Sequence, residues 1–483
     1  MVLFKNPRLW LYIAGTLPPE KVFLFFGIIW GIFQVFFTPP FQAPDELNHF
    51  SRAYQVSEFR FSPQLYKNKL GGFLPGNIWT TEELFFHIPF NPEKKITKDH
   101  FINAIKIPLN IENRTFIFFP NTSLYSPVSY IPQSIGIFLG RILNLRPLVL
   151  FYLGRIFNLF AWILLIYISI KTLPIAKWLI VTLALLPMTM FEAASVSADP
   201  ITIGLSFLLI SYVLNLAFAE NTILGKKEIL SLSIISILLS FSKNVYFPMV
   251  FLILLIPIKK AANLRNYILS VSIIVGSALI SVLIGALVLR NILAQIHPIE
   301  QLYGDSSLLP QVNPDKQLAF ILSNITGFIT MVANSFYILR LYIFQSFLGK
   351  LGWSEILISK WFYYYAASCI GIIALFEFKK EIRLTFSQRL ILLVSSCLVI
   401  LVFSVTMYLS WSSVGAIMII NLQGRYFIPI VPVLLLLFYG KKITLPKFVI
   451  PLVSISLILV SIAVTINTIL VRYYIVYQYY TLY

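Results

Sequence analysis

The residues best suited to chemistry lie in the stretch PPFQAPDELNHFSRAYQ, residues 39–55. A proline followed by two acids, Asp45 and Glu46, is a favoured start of a helix. On such a helix Asp45, His49 and Arg52 share one face, because side chains three or four residues apart are neighbours. A carboxylate beside an imidazole and a guanidinium indicates a general base with partners that orient it or bind an anion. Helix capping by the two acids, with an incidental histidine, explains the same residues equally well.

Two further acids lie near the ends of consecutive apolar runs. Glu192 and Asp199 both fall in FEAASVSADPITIG, seven residues apart. An ionisable group beside a membrane span is a candidate functional residue. Together the two acids would place negative charge, or a pair of metal ligands, at the rim of a cavity. The alternative for Asp199 is that it stabilises the amino terminus of a helix.

Two cations are candidates for binding a phosphate. Lys243 lies in SFSKNVYFP, with Tyr246 close by, and Arg425 lies in NLQGRYFIP. An ammonium is a point-charge contact for phosphate, and the guanidinium fork matches two phosphate oxygens. A lysine that snorkels to the membrane surface and an arginine that pairs with an acid or a lipid headgroup are the alternatives. The same interpretation extends to three other arginines: Arg155, Arg290 and Arg340.

The neighbours of Arg425 and one tryptophan complete the candidate binding groups. Gln423, Gly424 and Tyr426 flank Arg425, and a glycine allows close approach to the backbone. Trp353, in LGKLGWSE, is suited either to stacking on a sugar or to the aromatic belt at a membrane interface.

The composition predicts a membrane protein with many spans. Of 483 residues only 12% are charged and 58% are hydrophobic, whereas an average soluble domain is about 25% charged. The 37 Lys and Arg against 19 Asp and Glu stand in short clusters between apolar runs, which is typical of cytoplasmic loops and not of a nucleic-acid-binding surface. Cys369 and Cys397 lie in apolar runs, so no disulfide framework or cysteine metal site is expected. The four histidines lack metal-ligand spacing: His49, His87, His100 and His297.

The predicted fold is all-α, one integral membrane domain over residues 1–483. Lys5, Arg8 and Lys21 before the first apolar run put the amino terminus in the cytoplasm. Five basic clusters are expected on the same side: Lys171/Lys177, Lys226/Lys227, Lys259/Lys260/Arg265, Lys379/Lys380/Arg383/Arg389 and Lys441/Lys442/Lys447. This placement predicts eleven spans, with the carboxyl end outside: 21–38, 147–170, 174–192, 199–219, 228–243, 245–258, 267–290, 361–378, 387–410, 425–440 and 447–471.

Two apolar stretches do not fit as spans. Consecutive spans must cross the membrane in alternating directions, so 126–145 is expected to be a helix on the outer face. It follows a large first external loop at 39–125. The same alternation makes 317–350 a non-spanning or re-entrant region. Non-spanning backbone at membrane depth is tolerated only where protein covers it or it lines a wet cavity. Both stretches therefore indicate a cavity at the outer leaflet.

Six stretches resemble, in order, a family of bacterial membrane proteins described as domain of unknown function 2142. The similarity covers roughly residues 21–440, and its DE-x-x-H and QGRYF-x-P pieces are the most specific. The family is similar to the GT-C superfamily of glycosyltransferases, which take a sugar from a polyprenyl-phosphate or polyprenyl-diphosphate carrier outside the cytoplasm. The stretches are PPFQAPDELNHFSRAYQVSEF, SLYSPVSYIPQ, ASVSADP, FSKNVYFP, LGKLGWSE and QGRYFIPIVP.

This resemblance implies roles for particular residues. Asp45, or Glu46 in its place, would be the catalytic base of the first external loop, with His49 beside it. Asp199 would be the acid at the outer start of a later span, and basic residues would hold the carrier phosphate. The substrate-binding residues implied are Arg52, Asp199, Lys243, Tyr246, Trp353, Gln423, Arg425 and Tyr426.

The resulting hypothesis is an inverting glycosyltransferase of the cell envelope, in the bacterial cytoplasmic membrane with its cavity on the outer face. Its expected partners are a polyprenyl-phosphate-linked sugar donor, a glycan or lipid-linked acceptor and membrane lipids, and not nucleic acid. No cofactor is expected, although a divalent metal stays open because carboxylates are hard oxygen ligands. The alternatives are a transporter or flippase of lipid-linked saccharides, a polysaccharide polymerase or ligase, and a non-catalytic scaffold.

Overall fold

The computed structural model describes residues 16–294, 312–377, 379, 381–440 and 445–475. Several residues used above lie outside these ranges: Lys5, Arg8, His297, Lys380, Lys441 and Lys442.

The described chain is mainly helical with very little sheet, as the sequence predicts. The helices are α1 (Pro19–Phe37), α2 (Glu46–Ser57), α3 (Gly76–Glu83), α4 (Lys98–Lys106), α5 (Pro120–Ser123), α6 (Ile131–Ile142), α7 (Pro147–Thr172), α8 (Lys177–Ala184), α9 (Pro187–Ala193), α10 (Asp199–Phe218), α11 (Lys226–Ser242), α12 (Leu264–Leu293), α13 (Pro314–Ser323), α14 (Ile325–Leu348), α15 (Lys360–Phe376), α16 (Phe386–Trp411), α17 (Val431–Leu436) and α18 (Val449–Tyr473). The 3₁₀ helices are Pro127–Tyr130, Asn244–Leu255, Ile258–Lys260 and Gly424–Phe427. The strands are β1 (Gln64–Tyr66), β2 (Lys69–Pro75), β3 (Arg114–Phe118), β4 (Lys350–Leu351) and β5 (Ile356–Leu357).

Seven of the described helices are long and apolar enough to cross a membrane: α1, α7, α10, α12, α14, α16 and α18. Six of them coincide with predicted spans, and the seventh, α14, falls in the stretch predicted not to span. All of them except α10, which is largely buried, carry large apolar side chains on their outward faces, as a lipid-facing surface requires. The chain is therefore an all-α polytopic membrane protein, while the count of eleven spans stays a prediction.

Five predicted spans are not long continuous helices. The span expected at 174–192 is divided into α8 and α9, because Pro187 lacks an N–H and Leu186 before it is extended. The span expected at 245–258 is a 3₁₀ helix that contains Pro248. The predicted spans at 228–243 and 361–378 correspond to helices of 17 residues. The predicted span at 425–440 is a 3₁₀ helix followed by the six-residue α17.

The helix ends fall into two groups, which we call the loop end and the basic end. The loop end carries residues 38–146. At the basic end, Leu224 N–H donates to the carbonyl of Lys260, and the Glu377 carboxylate accepts from the backbone N–H groups of Trp178 and Leu179. The predicted basic residues within the described ranges share this end: Lys171, Lys177, Lys226, Lys227, Lys259, Lys260, Arg265, Lys379, Arg383, Arg389 and Lys447. Which side of the membrane each end faces stays a prediction.

Helix α14 is long enough to span, but both of its ends contact the loop end. Near its start, the ring of Phe328 lies 5.7 Å from that of Tyr408, close to the loop end of α16. Just after its end, Trp353 Nε1 donates to the carbonyl of Phe41 at 3.1 Å. These contacts favour the non-spanning course expected for 317–350.

Helix α6 lies within the stretch 126–145, which was predicted to be a helix on the outer face. Its 12 residues are too few to span a bilayer. It packs against α7 so closely that a Cβ at Gly136 would lie 2.6 Å from the carbonyl oxygen of Leu153. Its other face leaves Ile131, Ile135 and Ile142 exposed.

The region 39–125 holds helices and a small antiparallel sheet of order β1-β2-β3. The sheet lies against α2, where a side-chain amide of Gln55 reaches the carbonyl of Gly71. Every residue of α2 is buried except Asn48, which is half-buried. The region therefore forms a packed cover that holds α2 over the helix ends.

A buried ion pair fixes the start of α2 to the helix bundle. The guanidinium of Arg155, on α7, donates to both carboxylate oxygens of Glu46 at 2.8 and 2.7 Å. It also donates to the carbonyls of Val35, Thr38 and Pro39 at the end of α1. Both side chains of the pair are fully buried.

Breaking this pair should destabilise the protein severely. We expect Glu46→Gln and Arg155→Met each to lower the free energy of unfolding by about 3–5 kcal/mol, because each leaves a buried charge without its partner. The double variant should lose less than the sum of the two, because the surviving partner of each single variant is then also removed. Denaturant unfolding in detergent micelles measures all three.

Arg60→Gln is the control for this experiment. Its guanidinium lies 3.8 Å from Glu58 and is 44% exposed, so its loss should cost less than about 1 kcal/mol. Additive losses in the double variant would contradict the proposed coupling.

Candidate functional site

Asp45 stands at the start of α2 with one carboxylate oxygen fixed. Its backbone is left-handed, with φ of 56°, a conformation that aspartate tolerates better than most residues. Oδ1 accepts from Asn121 Nδ2 at 3.0 Å, and Asn121 Oδ1 accepts from Asn48 Nδ2 at 2.7 Å. Within the described ranges Oδ2 makes no hydrogen bond, and the side chain is only half-buried. One oxygen is therefore held in place and the other is available to a ligand.

His49, one turn further along α2, is a neutral hydrogen-bonding group. Its Nδ1 lies 2.7 Å from the hydroxyl of Tyr130. Burial lowers the pKa of His49 to about 3, and the cations Lys243 and Arg425 act in the same direction, while Asp199 opposes them. At neutral pH the imidazole is uncharged, so it serves as a polar neighbour and not as a cation.

Lys243 lies among one acidic and two aromatic partners. Its ammonium pairs with the carboxylate of Asp199, at the first residue of α10. The nitrogen also lies 5.7 Å from the ring centre of Tyr125 and 5.4 Å from that of Tyr426. Cations over aromatic rings are held by the ring quadrupole. The hydroxyl of Tyr246 donates to the carbonyl of Tyr426 at 2.7 Å, which keeps the second ring in place.

Arg425 is paired with Glu192, but both members keep unused polar atoms. The guanidinium contacts Glu192 Oε1 at 2.5 Å. Nε of Arg425 and Oε2 of Glu192 are buried, and neither has a hydrogen-bond partner among the described residues. Buried polar atoms without partners are rare. A bound ligand or water would satisfy them.

These charges act on one another and on Asp45. Burial raises the pKa of Asp45; Arg425, the hydrogen bond from Asn121, and Lys243 lower it, and Asp199 raises it. The predicted residues Asp45, Asp199, Lys243 and Arg425 therefore belong to one cluster at the loop end. We call this the acid–base cluster: Asp45, His49, Glu192, Asp199, Lys243 and Arg425, with Tyr125, Tyr130, Tyr246 and Tyr426 around them. It holds three carboxylates and two cations.

Other predicted site residues lie outside this cluster and hold the backbone. Glu46 is committed to Arg155, so Asp45 alone is kept as the candidate base. Arg52 is fully buried, and its guanidinium donates to the carbonyls of Phe61 and Tyr125 at 2.7 and 3.0 Å. Its predicted role in substrate binding stays a prediction.

The segment around Gly424 is also built mainly for packing. A Cβ at Gly424 would lie 1.8 Å from the carbonyl oxygen of Ile343. The glycine therefore allows α14 to pack against the backbone, and the space beside it is not open to a ligand. Gln423 Nε2 donates to Asn421 at 2.5 Å and its Oε1 accepts from Ser354. Trp353 is held by the carbonyl of Phe41, as described above. The exposed side chains of Arg290 and the α14 residue Arg340 do not reach the cluster.

Two features of the site are absent from the sequence prediction. Asn121 is not among the candidate residues named from the sequence, and its contact with Asp45 crosses 76 residues. Tyr125 and Tyr130 were not named either, although they lie in SLYSPVSYIPQ, a stretch that carried the family resemblance and could have pointed to them. Within the described ranges, no three His, Cys, Asp or Glu side chains are grouped so as to hold a metal ion.

The neutral state of His49 makes a testable prediction about stability. The folded pKa of about 3 is below the unfolded value of about 6.5, so the unfolded chain binds more protons between these values. The stability contributed by His49 is complete above pH ~6.5 and declines, by up to about 1.4 kcal/mol per pH unit, as the pH falls towards 3. His49→Gln removes this titration. The difference in free energy of unfolding between wild type and variant should grow from pH ~4 to ~6.5 and then stay constant; a difference independent of pH would contradict a neutral buried imidazole.

Comparisons with known proteins agree with this architecture. No curated protein and no solved structure matches the chain. The family model described as "Predicted membrane protein (DUF2142)" matches residues 24–434. That range runs from α1 to α17 and includes every residue of the acid–base cluster. The chain therefore belongs to the DUF2142 family of predicted membrane proteins.

Proposed function

We propose that this protein is a glycosyltransferase that moves a sugar from a polyprenyl-phosphate carrier to a hydroxyl of an envelope glycan or lipid. The observation that carries the proposal is the acid–base cluster itself. A carboxylate with one free oxygen lies within electrostatic reach of a lysine and an arginine, at one end of a membrane-embedded helix bundle. The resemblance to GT-C enzymes noted from the sequence supports the same assignment.

Asp45 is the candidate general base. Its free Oδ2 takes the proton of the acceptor hydroxyl while that oxygen forms a bond to the sugar C1. The bond from C1 to the carrier phosphate breaks, and the phosphate leaves with the electron pair. Burial raises the pKa of Asp45, which brings a carboxylate closer to the pH at which it must accept a proton. Attack from the side opposite the phosphate inverts C1.

Lys243 and Arg425 are the candidate groups for the leaving phosphate. The Lys243 ammonium has N–H groups in addition to the one that donates to Asp199. Arg425 has the Nε that lacks a partner among the described residues. Fixed cations aimed at charge that develops during the reaction lower its barrier. Tyr125 is 36% exposed and Tyr426 is half-buried, so an aromatic face is available beside these cations for a sugar ring.

The distribution of charge favours a transferase over a flippase. A flippase needs polar groups along a path through the bilayer, and ionisable residues near the middle of the membrane mark such paths. Here the clustered ionisable groups stand at the loop end. At the basic end, the half-buried carboxylate of Glu377 accepts hydrogen bonds from two backbone N–H groups in the first turn of α8, which is a structural role.

Replacing the base should remove activity without loss of fold. We expect Asp45→Asn to lower the rate of transfer by about 10²–10⁴, the usual contribution of general-base catalysis. The assay is transfer of a labelled sugar from polyprenyl phosphate to an envelope acceptor in proteoliposomes. Asp99→Asn is the matched control, because Asp99 is an exposed acid in the same loop region. Full activity in Asp45→Asn would contradict this mechanism.

Asn121 is predicted to position the base. Asn121→Ala removes the donor to Asp45 Oδ1, and a hydrogen bond to a charged group is worth about 1.5–3 kcal/mol. We therefore expect kcat to fall about tenfold or more, with little change in KM for the carrier. Asn121→Ser, which keeps a donor, should restore part of the rate. Asn103→Ala is the control, since Asn103 is exposed on α4; an equal effect there would show that the loss is not specific to Asp45.

A further inference from the structure

A second candidate site lies on the other side of Arg52, between the end of α2 and α6. It is a groove of about 210 Å³, and its walls are mostly apolar. Phe59 and Phe61 form one wall, and Ile131, Ile135 and Phe138 form the other. Phe59 packs edge-on against Phe138, with ring centres 5.6 Å apart.

The groove offers nothing to a polar ligand along its length. Its two hydroxyl groups are already engaged: Ser57 donates to the carbonyl of Tyr54 at 2.6 Å, and Ser134 donates to the carbonyl of Ala53 at 3.0 Å. Phe59 and Phe61 are nonetheless 68% and 54% exposed. An exposed apolar groove next to a membrane protein's lipid-facing surface suits a hydrocarbon chain.

One end of the groove carries a basic cluster. Arg141 donates to the carbonyl and hydroxyl oxygens of Ser57, a groove residue. Arg60, Arg114 and Arg141 all face the single carboxylate of Glu58. Three guanidinium groups against one carboxylate leave an excess of positive charge. An anionic headgroup would find complementary charge at this end.

We infer that this groove binds one anionic phospholipid of the bilayer, with a hydrocarbon chain between α2 and α6 and its headgroup at Arg60 and Arg141. A sugar-carrier lipid is not the occupant, because a donor must present its phosphate to Lys243 and Arg425. This choice between a phospholipid and the carrier rests on the proposed function, whereas lipid binding in the groove is measured without the transfer reaction. The site also has a link to the acid–base cluster, since Arg52 donates to the carbonyls of both Phe61 and Tyr125.

Binding of fluorescent phosphatidylglycerol and phosphatidylcholine to the full chain in detergent micelles tests the assignment. Phosphatidylglycerol should bind about fivefold more tightly, the effect expected of about one basic side chain near an anionic headgroup. Arg60→Gln should abolish this preference. Lys106→Gln, which removes an exposed cation of the same loop region away from the groove, should leave it unchanged.

The apolar part is tested on α6. Ile135 lines the groove and is 47% exposed, while Ile142 on the same helix is 65% exposed and does not line it. Ile135→Asn should weaken binding of both lipids about tenfold, and Ile142→Asn less than about twofold. Ile135→Ala, a milder change for folding, should weaken binding about threefold.

Three outcomes would overturn the inference. Equal weakening by Ile135→Asn and Ile142→Asn would indicate general adsorption to an apolar surface. Equal binding of the two phospholipids by the wild-type chain would remove the headgroup site. Displacement of bound phosphatidylglycerol by polyprenyl phosphate at a lower concentration than by unlabelled phosphatidylglycerol would assign the groove to the carrier.

Discussion

The ion pair between Glu46 and Arg155 is the interaction on which the loop end depends. Arg155 holds three carbonyls at the end of α1, and Glu46 also accepts from the backbone N–H of Val196 at 3.0 Å. One pair of side chains thus joins α1, α2, α7 and the segment that leads to Asp199. Two charges so fully buried are tolerated because nearly all their hydrogen-bonding capacity is used. The position of Asp45, one residue before Glu46, follows directly from this anchor.

The acid–base cluster also contains paired charges, but their hydrogen bonding is less complete. Glu46 and Arg155 satisfy each other and the backbone around them. Arg425 and Glu192 leave one polar atom each without a partner, and Asp45 leaves Oδ2 free. The two ion pairs therefore differ in the completeness of their hydrogen bonding and not only in burial.

Much of the fold and part of the site were accessible from the sequence. The lengths of the apolar runs predicted six long helices, since the bilayer thickness sets that length. The positions of acidic and basic residues near the ends of these runs identified Asp45, Asp199, Lys243 and Arg425 as candidates. The contacts of Glu46 and Arg52 could not be predicted because residue type does not reveal the partner, and their roles as site residues stay predictions. Arg155 lies 109 residues from Glu46 in the sequence. The carbonyls of Phe61 and Tyr125, which accept hydrogen bonds from Arg52, come together only when the loop region folds. The break at Pro187 was missed because apolar composition continues through it.

The charge balance of the cluster bears on the kind of carrier that the proposed reaction would use. Each cation already faces a carboxylate, Lys243 with Asp199 and Arg425 with Glu192, so an arriving phosphate shares its cations with two acids. Every additional negative charge on the ligand is repelled by these acids and by Asp45, and such repulsion is strong where water is excluded. A carrier monophosphate brings less charge to the cluster than a diphosphate. Under the proposed function, the pairing of the cations therefore favours the monophosphate-linked sugar as donor.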